Sequence, residues 1–321
     1  MSYNPKISIV TCVWNLFNEN RVDSFRQTME SVHNQTYDNI EHIIIDNNSN
    51  DGTDILIKEY TDLGWASCYF HPVQGLWHAM NKGLEVATGD YINYLNSDDY
   101  FVSNHSVETV VKSIIKNNAE YAYAEANRLF DDGRIGRWFI PDNNIIFTGL
   151  CPCHQTLFLK TDIIKEYGGF DLKYPLCCDD RMFLKLVADK KRYMCIPKPI
   201  ANFRAGGFSS KQDGYQNEYA QNFYSNFGHS WGMTFEDCSK LYLEYSFSNC
   251  SLRYNKYLIK KIRNKEWRLL YKKRYKEYLS SLTNTTIYLF GIFPLIKKRV
   301  ETQGSCLYLF GFIPVLKKRK S

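Results

Sequence analysis

DYINYLNSDDYF, residues 90–101, is the stretch from which the fold can be read. It begins as a short apolar strand, Tyr91 to Leu95, and stops abruptly at Asn-Ser-Asp-Asp. Carboxylates at the end of a buried strand are costly unless something there uses them. An open α/β sheet gathers its ligands at the carboxyl ends of its strands. Two adjacent acids and an amide are hard oxygen donors, suited to Mg²⁺ or Mn²⁺, and such an ion would most usefully hold a diphosphate. Taken alone, the stretch also fits a plain strand-end turn whose Asp and Ser cap the next helix.

The residues before it supply a pattern. Lys6 to Val13, KISIVTCV, is a β-branched run that reads as the first strand. Arg21 to Asn34 follows with helical spacing at Phe25, Met29 and Val32. Glu41 to Ile45 is a second apolar strand, and it too ends on an acid, Asp46. Asp51-Gly52 signals a turn, and Thr53 or Asp54 is placed to cap a helix reaching about Tyr60. Trp65 to Phe70 reads as a third strand, and Leu76 to Ala87 as a helix stopped by Gly89. Strand and helix therefore alternate into residue 90, the signature of a doubly wound, largely parallel sheet. Two strand ends carry acids, Asp46 and Asp98-Asp99, and in such a sheet both lie on one rim.

Neither GxGxxG nor GxxxxGK[ST] occurs, which argues against hydride-transfer and P-loop enzymes. Ser106 to Asn117 reads as a helix and Tyr121 to Phe130 as a strand, with Arg134 to Ile140 returning as a hairpin across Asp131-Asp132-Gly133. His154-Gln155 leads a short strand, Thr156 to Lys160, and a helix then closes at Gly168-Gly169. Asp179-Asp180 opens an amphipathic helix carrying Met182, Phe183, Leu186 and Val187, so a helix cap is one role open to Asp179.

The chain has 321 residues, 44% hydrophobic and 23% charged, enough for about two globular domains. Its net charge is +6, with much of the excess near the C-terminus. MSYNPKISIV lacks the pattern of an export signal, and no apolar run reaches the ~18 residues of a membrane span. The ten cysteines form no CxxC pair, so reduced thiols in the cytoplasm are expected rather than a structural zinc site.

Five segments together resemble the inverting family 2 glycosyltransferases of the GT-A fold, especially bacterial polysaccharide enzymes. They are ISIVTCVWN at 7–15, ESVHNQTYDNIEHIIIDNNSNDGT at 30–53, AMNKGLEVATGDYINYLNSDDYF at 79–101, CHQTLFLKTDIIKEYGGFD at 153–171 and NFRAGGFSS at 202–210. The resemblance implies a Rossmann-like, doubly wound mixed sheet over residues 1–212. It implies that Thr11, Val13, Asn15 and Asn48 line a nucleotide pocket in which Asp46 contacts the base. It places Lys82 toward the donor's diphosphate and matches Asn96-Ser97-Asp98 to the DxD motif, with Asp98 the metal ligand for Mn²⁺ or Mg²⁺. It makes Asp179 the general base and sets His154 and Gln155 beside the acceptor. Four positions depart from the pattern. Asn96 stands for the first Asp of DxD, Cys178 for the Glu before the base, and Gln74 and His78 for the Lys and Asp common in relatives.

From about residue 213 the alternation ceases, and a mainly helical, basic region is expected over 213–280. Asn255 to Tyr278 reads as one basic amphipathic helix, either docked on a core or drawn to anionic lipid. At 281–321 IYLFGIFPLIKKR, 287–299, recurs as LYLFGFIPVLKKR, 307–319. Each copy is too short and interrupted to span a bilayer. A membrane-surface attachment and a β-hairpin in a soluble or dimer core are both open. No nucleic-acid motif accompanies the basic residues, and no nucleic-acid partner is expected.

The function expected is a metal-dependent, inverting transfer of a sugar from a nucleotide diphosphate donor, UDP-linked, to a hydroxyl of a saccharide or lipid-linked saccharide. The expected place is the cytoplasm, at the inner membrane face. The alternative is a catalytically silent sugar-nucleotide-binding or membrane scaffold protein.

Overall fold

The computed structural model describes residues 3–72, 75–138, 151–206, 215–243, 259–281, 284–289, 293–301, 304–309 and 313–319. Gln74, residues 139–140 of the expected hairpin, 207–210 of the last motif and 255–258 of the basic helix lie outside them. The chain divides into two compact units, one of residues 1–145 and 150–222, the other of 146–149 and 223–321.

In the first unit the expected alternation is present. Strands β1 (Ile7–Val13), β2 (Ile40–Asp46), β3 (Ser67–Phe70) and β4 (Tyr91–Tyr94) are joined by helices α1 (Val22–His33), α2 (Thr53–Asp62) and α3 (Leu76–Val86). The four strands pair in parallel in the order β3-β2-β1-β4. Ile7, Ile9, Val10, Ile43, Ile44 and Ile45 are buried, as the β-branched runs of a sheet covered on both faces require.

Beyond β4 the sheet turns mixed. It continues through β5 (Tyr100–Phe101), α4 (Ser106–Asn117), β6 (Tyr121–Leu129), β7 (Ile135–Trp138), β8 (Phe158–Lys160), α5 (Thr161–Glu166), α6 (Cys178–Ala188) and β9 (Tyr193–Arg204). The full order is β3-β2-β1-β4-β8-β6-β9-β5, with β7 on β6. β8 runs antiparallel to both β4 and β6. The β6-β7 pair is the hairpin anticipated across Asp131-Asp132-Gly133.

The amino-terminal edge of the sheet is fastened by one carboxylate. Glu41 accepts hydrogen bonds from Ser8 Oγ, Thr88 N and Thr88 Oγ1, and pairs with Lys6 Nζ at 2.7 Å. Burial alone would raise its pKa, but the bonds from Lys6, Ser8 and Thr88 prevail and hold it at about 2. Gly89 passes so close to β1 that a Cβ would stand 2.7 Å from Ser8 N and 2.9 Å from Lys6 O.

The second unit holds a short aromatic core in which Phe223, Phe227 and Trp231 pack in tilted and edge-to-face pairs with ring centroids 5.1–5.4 Å apart. Trp267 packs on Trp231 at 5.2 Å. The basic helix differs from expectation, because α-helix Lys265–Ser281 begins anew after a break. Asn264 Oδ1 accepts from Trp267 N, and Arg263 N donates to Trp231 O, so the backbone at the break is bonded out of the helix.

The repeats form a four-stranded antiparallel sheet of Asn284–Leu289, Phe293–Glu301, Gly304–Leu309 and Ile313–Arg319. Each repeat is one hairpin. Ile287 pairs with Ile296, and their counterparts Leu307 and Leu316 pair likewise. The register shifts after Ile287 in one copy and after Leu307 in the other, next to the pairs Tyr288–Pro294 and Tyr308–Pro314. A bulge is where a strand tolerates proline, which has no N–H to give. Among the described residues no helix is long and apolar enough to cross a membrane.

Candidate active site

β1, β2 and β4 end at one edge. Val13 pairs with Asp46, and Leu95 N donates to Val10 O at 3.0 Å, so Asn15, Asp46 and Asn96 follow three neighbouring strands out of the sheet. The loops there are tied before any ligand arrives. Asn15 N donates to Ser49 Oγ, Asn15 Oδ1 accepts from Asn50 N, and Asp46 Oδ1 accepts from Ser49 N. Asn15 and Asn48 both have positive φ, 46° and 63°, a conformation asparagine tolerates better than most residues. Asp51, rather than Thr53 or Asp54, organises the turn: its carboxylate accepts from Phe17 N, Asn18 N and Thr53 N.

Thr11 lies deeper than a pocket wall. It is fully buried, and its Oγ1 lies 3.0 Å from His42 Nε2. Val13 is 2% exposed. Lys82 pairs with Glu85 at 2.8 Å on α3, and no described contact takes it to the strand-end acids. Arg21 is the cation that faces Asp98, with Nη1 3.6 Å from Oδ2.

After β4 the two acids of Asp98-Asp99 separate. Asp98 keeps some exposure, whereas Asp99 is 1% exposed and bonded on both oxygens. Asp99 Oδ1 accepts from Arg204 N at 2.9 Å and Oδ2 from Gln155 Nε2 at 2.5 Å. Burial and the neighbouring Asp98 charge raise the Asp99 pKa to about 7, against these two bonds. Gln155 is therefore not presented to an acceptor; it is 1% exposed, and its Oε1 also accepts from Cys153 Sγ. Ser97 is buried too.

His154 connects what remains. It sits in the 3₁₀ turn His154–Thr156, where Asn93 Nδ2 donates to the carbonyls of Gln155 and Leu157, and Thr156 Oγ1 donates to Ala124 O. His154 Nδ1 lies 3.0 Å from Asp179 Oδ2 and Nε2 lies 3.4 Å from Asn96 Oδ1. Burial would lower the imidazole pKa, but the bond to Asp179 and the charges of Asp179, Asp99 and Asp180 leave it raised. Asp179 stands in the first turn of α6, its Oδ1 accepting from Asp180 N at 3.0 Å. Asn96, His154 and Asp179 are thus joined in one run of contacts, beginning two residues before Asp98.

Among the described residues no three His, Cys, Asp or Glu side chains gather into a ready-made metal cage. The strand end offers one carboxylate, Asp98, and one amide oxygen, Asn96. That donor set fits an ion taking its other ligands from a diphosphate and water, the usual arrangement for Mg²⁺.

Sequence reasoning missed Arg21, His42 and the clamping role of Asp99. The last left no signal in the sequence, because the partners of Asp99, Gln155 and Arg204, lie 56 and 105 residues away.

Comparison with known proteins agrees with this architecture. The family model Glycosyl transferase family 2 matches residues 8–163. Glycosyltransferase GlyA of Streptococcus pneumoniae serotype 4 is 28% identical over 179 residues, 52% of this chain and only 24% of that one. The Escherichia coli UDP-Glc:alpha-D-GlcNAc-diphosphoundecaprenol beta-1,3-glucosyltransferase WfgD is 28% identical over 36% of this chain and 45% of its own. Among solved structures, S. aureus TarS 1–349 in complex with UDP-GlcNAc aligns with TM-score 0.58 and 14% identity, over 94% of this chain and 98% of that one. The Pyrobaculum calidifontis mannosyltransferase PcManGT, in complex with GDP-Man and Mn²⁺, aligns with TM-score 0.54 and 15% identity, over 87% of this chain and 86% of that one. The chain therefore carries, over residues 8–163, a family 2 glycosyltransferase domain on a GT-A fold.

Proposed function

We propose that this glycosyltransferase transfers a sugar, with inversion, from a nucleotide diphosphate donor to a saccharide hydroxyl in bacterial surface-polysaccharide synthesis. The observation that carries the reading is the run of contacts from Asp179 through His154 to Asn96, two residues before Asp98. UDP-sugar is the favoured donor, because the E. coli relative and the TarS complex both name one. The acceptor class, a saccharide on a lipid diphosphate, is suggested by the same relative.

In this reading Asp179 is the general base. It takes the proton of the acceptor hydroxyl while that oxygen bonds to the anomeric carbon, and the bond to the donor diphosphate breaks on the opposite face. Both electrons of that bond leave with the nucleoside diphosphate. Asp98, with Asn96, would hold a divalent ion, which would offset the negative charge growing on the leaving group. Asp46 and Asn15 meet the nucleoside end, and Val13 and Asn48 shape the backbone around it. The tail hairpins, with Lys-Lys-Arg in each copy, attach the enzyme to an anionic membrane surface.

A screen of UDP-, GDP- and dTDP-sugars for Mn²⁺-dependent release of the nucleoside diphosphate tests the proposal. Release from a UDP-sugar, lost in Asp179→Asn, is expected. No release from any of them would favour a silent sugar-nucleotide-binding protein, and full activity of Asp179→Asn would remove the base assignment.

A further inference from the structure

His154 holds Asp179 at 3.0 Å through Nδ1 and Asn96 at 3.4 Å through Nε2. Its turn is anchored on three sides, by Asn93 in β4, by Ala124 in β6 and, through Gln155, by Asp99. A ring on so fixed a base has little freedom to swing toward an incoming saccharide. The Asp179 carboxylate is fastened in turn at both oxygens, by the His154 ring and by Asp180 N.

We propose that His154 is a positioning residue: it orients the Asp179 carboxylate and couples it to the donor-side strand end at Asn96. The inference rests on Asp179 being the base. It also gives the asparagine at position 96 a chemical reason. A neutral ring donating from Nδ1 to Asp179 leaves Nε2 as an acceptor. Asn96 can turn its amide to donate to that nitrogen, whereas a carboxylate there has no proton to give.

The test exploits the different reach of two amides. In His154→Asn the side-chain nitrogen falls near the place of Nδ1 and can still donate to Asp179. In His154→Gln it falls near the place of Nε2 and reaches only Asn96. Turnover is read as UDP release from UDP-GlcNAc, UDP-glucose and UDP-galactose in parallel, with Asp179→Asn as the reference and UDP affinity and melting temperature recorded for every variant. His154→Ala and His154→Gln should lose about 100-fold in kcat with the donor KM unchanged, the scale of a misplaced reacting group. His154→Asn should recover most of it. A second arm needs no substrate: ¹⁵N NMR of the histidine rings in the full chain should show a proton on Nδ1 of His154 whose shift moves in Asp179→Asn.

Equal turnover in His154→Asn and His154→Gln, or undiminished turnover in His154→Ala beside an inactive Asp179→Asn, overturns the positioning role and leaves the proposed function standing. An active Asp179→Asn overturns the proposed base, and the positioning role with it. If no UDP is released by the native chain, the ring protons decide the contact, and a His154 protonated only on Nε2 sinks it.

Discussion

Gln155 Nε2 donates to Asp99 Oδ2 at 2.5 Å, and this bond fixes the turn bearing His154 to the strand end bearing Asn96 and Asp98. Both partners are almost fully buried, so neither finds water when the other is removed. Gln155→Leu should cost roughly 1–3 kcal/mol, the usual penalty of an orphaned buried group. Urea denaturation measures it. If Gln155 met the acceptor instead, stability would hold and the acceptor KM would rise.

Asp98→Ala should abolish the metal-dependent part of UDP binding and reduce turnover at least ~100-fold, since the charge stabilisation an ion gives is worth several kcal/mol. Calorimetric titration of UDP with Mn²⁺ and with chelator checks this. Binding that chelator leaves unchanged in the native protein would refute the metal role of Asp98.

Gly89→Ala should destabilise the first unit by at least about 1–3 kcal/mol, the range for overpacking. The added carbon would press on the backbone of Lys6 and Ser8, which is held in the sheet and cannot yield as a side chain tip would. Thermal melting against a control substitution in an exposed helix position reads the difference.

Burial pushes the His42 pKa down to about 3, so the folded protein keeps the ring neutral beside Thr11. The unfolded chain binds a proton there near pH 6.5. Acid therefore favours unfolding: the contribution is intact above pH 6.5 and falls by about 1.4 kcal/mol per pH unit below it, until pH nears 3. Between pH 6.5 and 5 the loss from this residue is roughly 2 kcal/mol. His42→Gln should flatten the curve of stability against pH over that interval; an unchanged slope in urea titrations would show that His42 is not its source.

Deletion of residues 281–321 should release the protein from vesicles containing phosphatidylglycerol, while vesicles of phosphatidylcholine alone bind neither form. Each Lys or Arg near an anionic surface is worth roughly 1 kcal/mol, and binding should fall with added salt. Sedimentation with vesicles at two salt concentrations checks it, and equal sedimentation of full-length and shortened chains would refute it.

Most of the sheet could be read ahead of the structure because β1, β2 and β4 are β-branched or apolar and bounded by Gly, Asn and Asp. β5 and β9 could not. β5 is two residues long, and β9 carries two prolines, Pro197 and Pro199, which ordinarily speak against a strand. The register of β9 against β6 shifts at Ala124–Ala126, where those prolines are accommodated. In the site, acidic strand ends were visible as a pattern, but the roles of neighbours were not. Nothing in DD distinguishes the half-buried Asp98 from the buried Asp99, and nothing in HQ separates a half-buried ring beside Asp179 from an amide in the core. Those differences arise only when β8, α6 and β9, distant in sequence, pack against the end of β4.

The two tail hairpins repeat not only residues but also pairing offset and bulge position. Within each copy the two strands pair with each other, and the second strand of the first copy joins the first strand of the next by the same antiparallel pairing, Ile296 opposite Leu309. Gene duplication or loss could therefore lengthen or shorten the array by whole hairpins without disturbing the pairing inside those that remain, much as beads are added to a string. The number of copies is a quantity that can vary while residues 8–163 stay as they are.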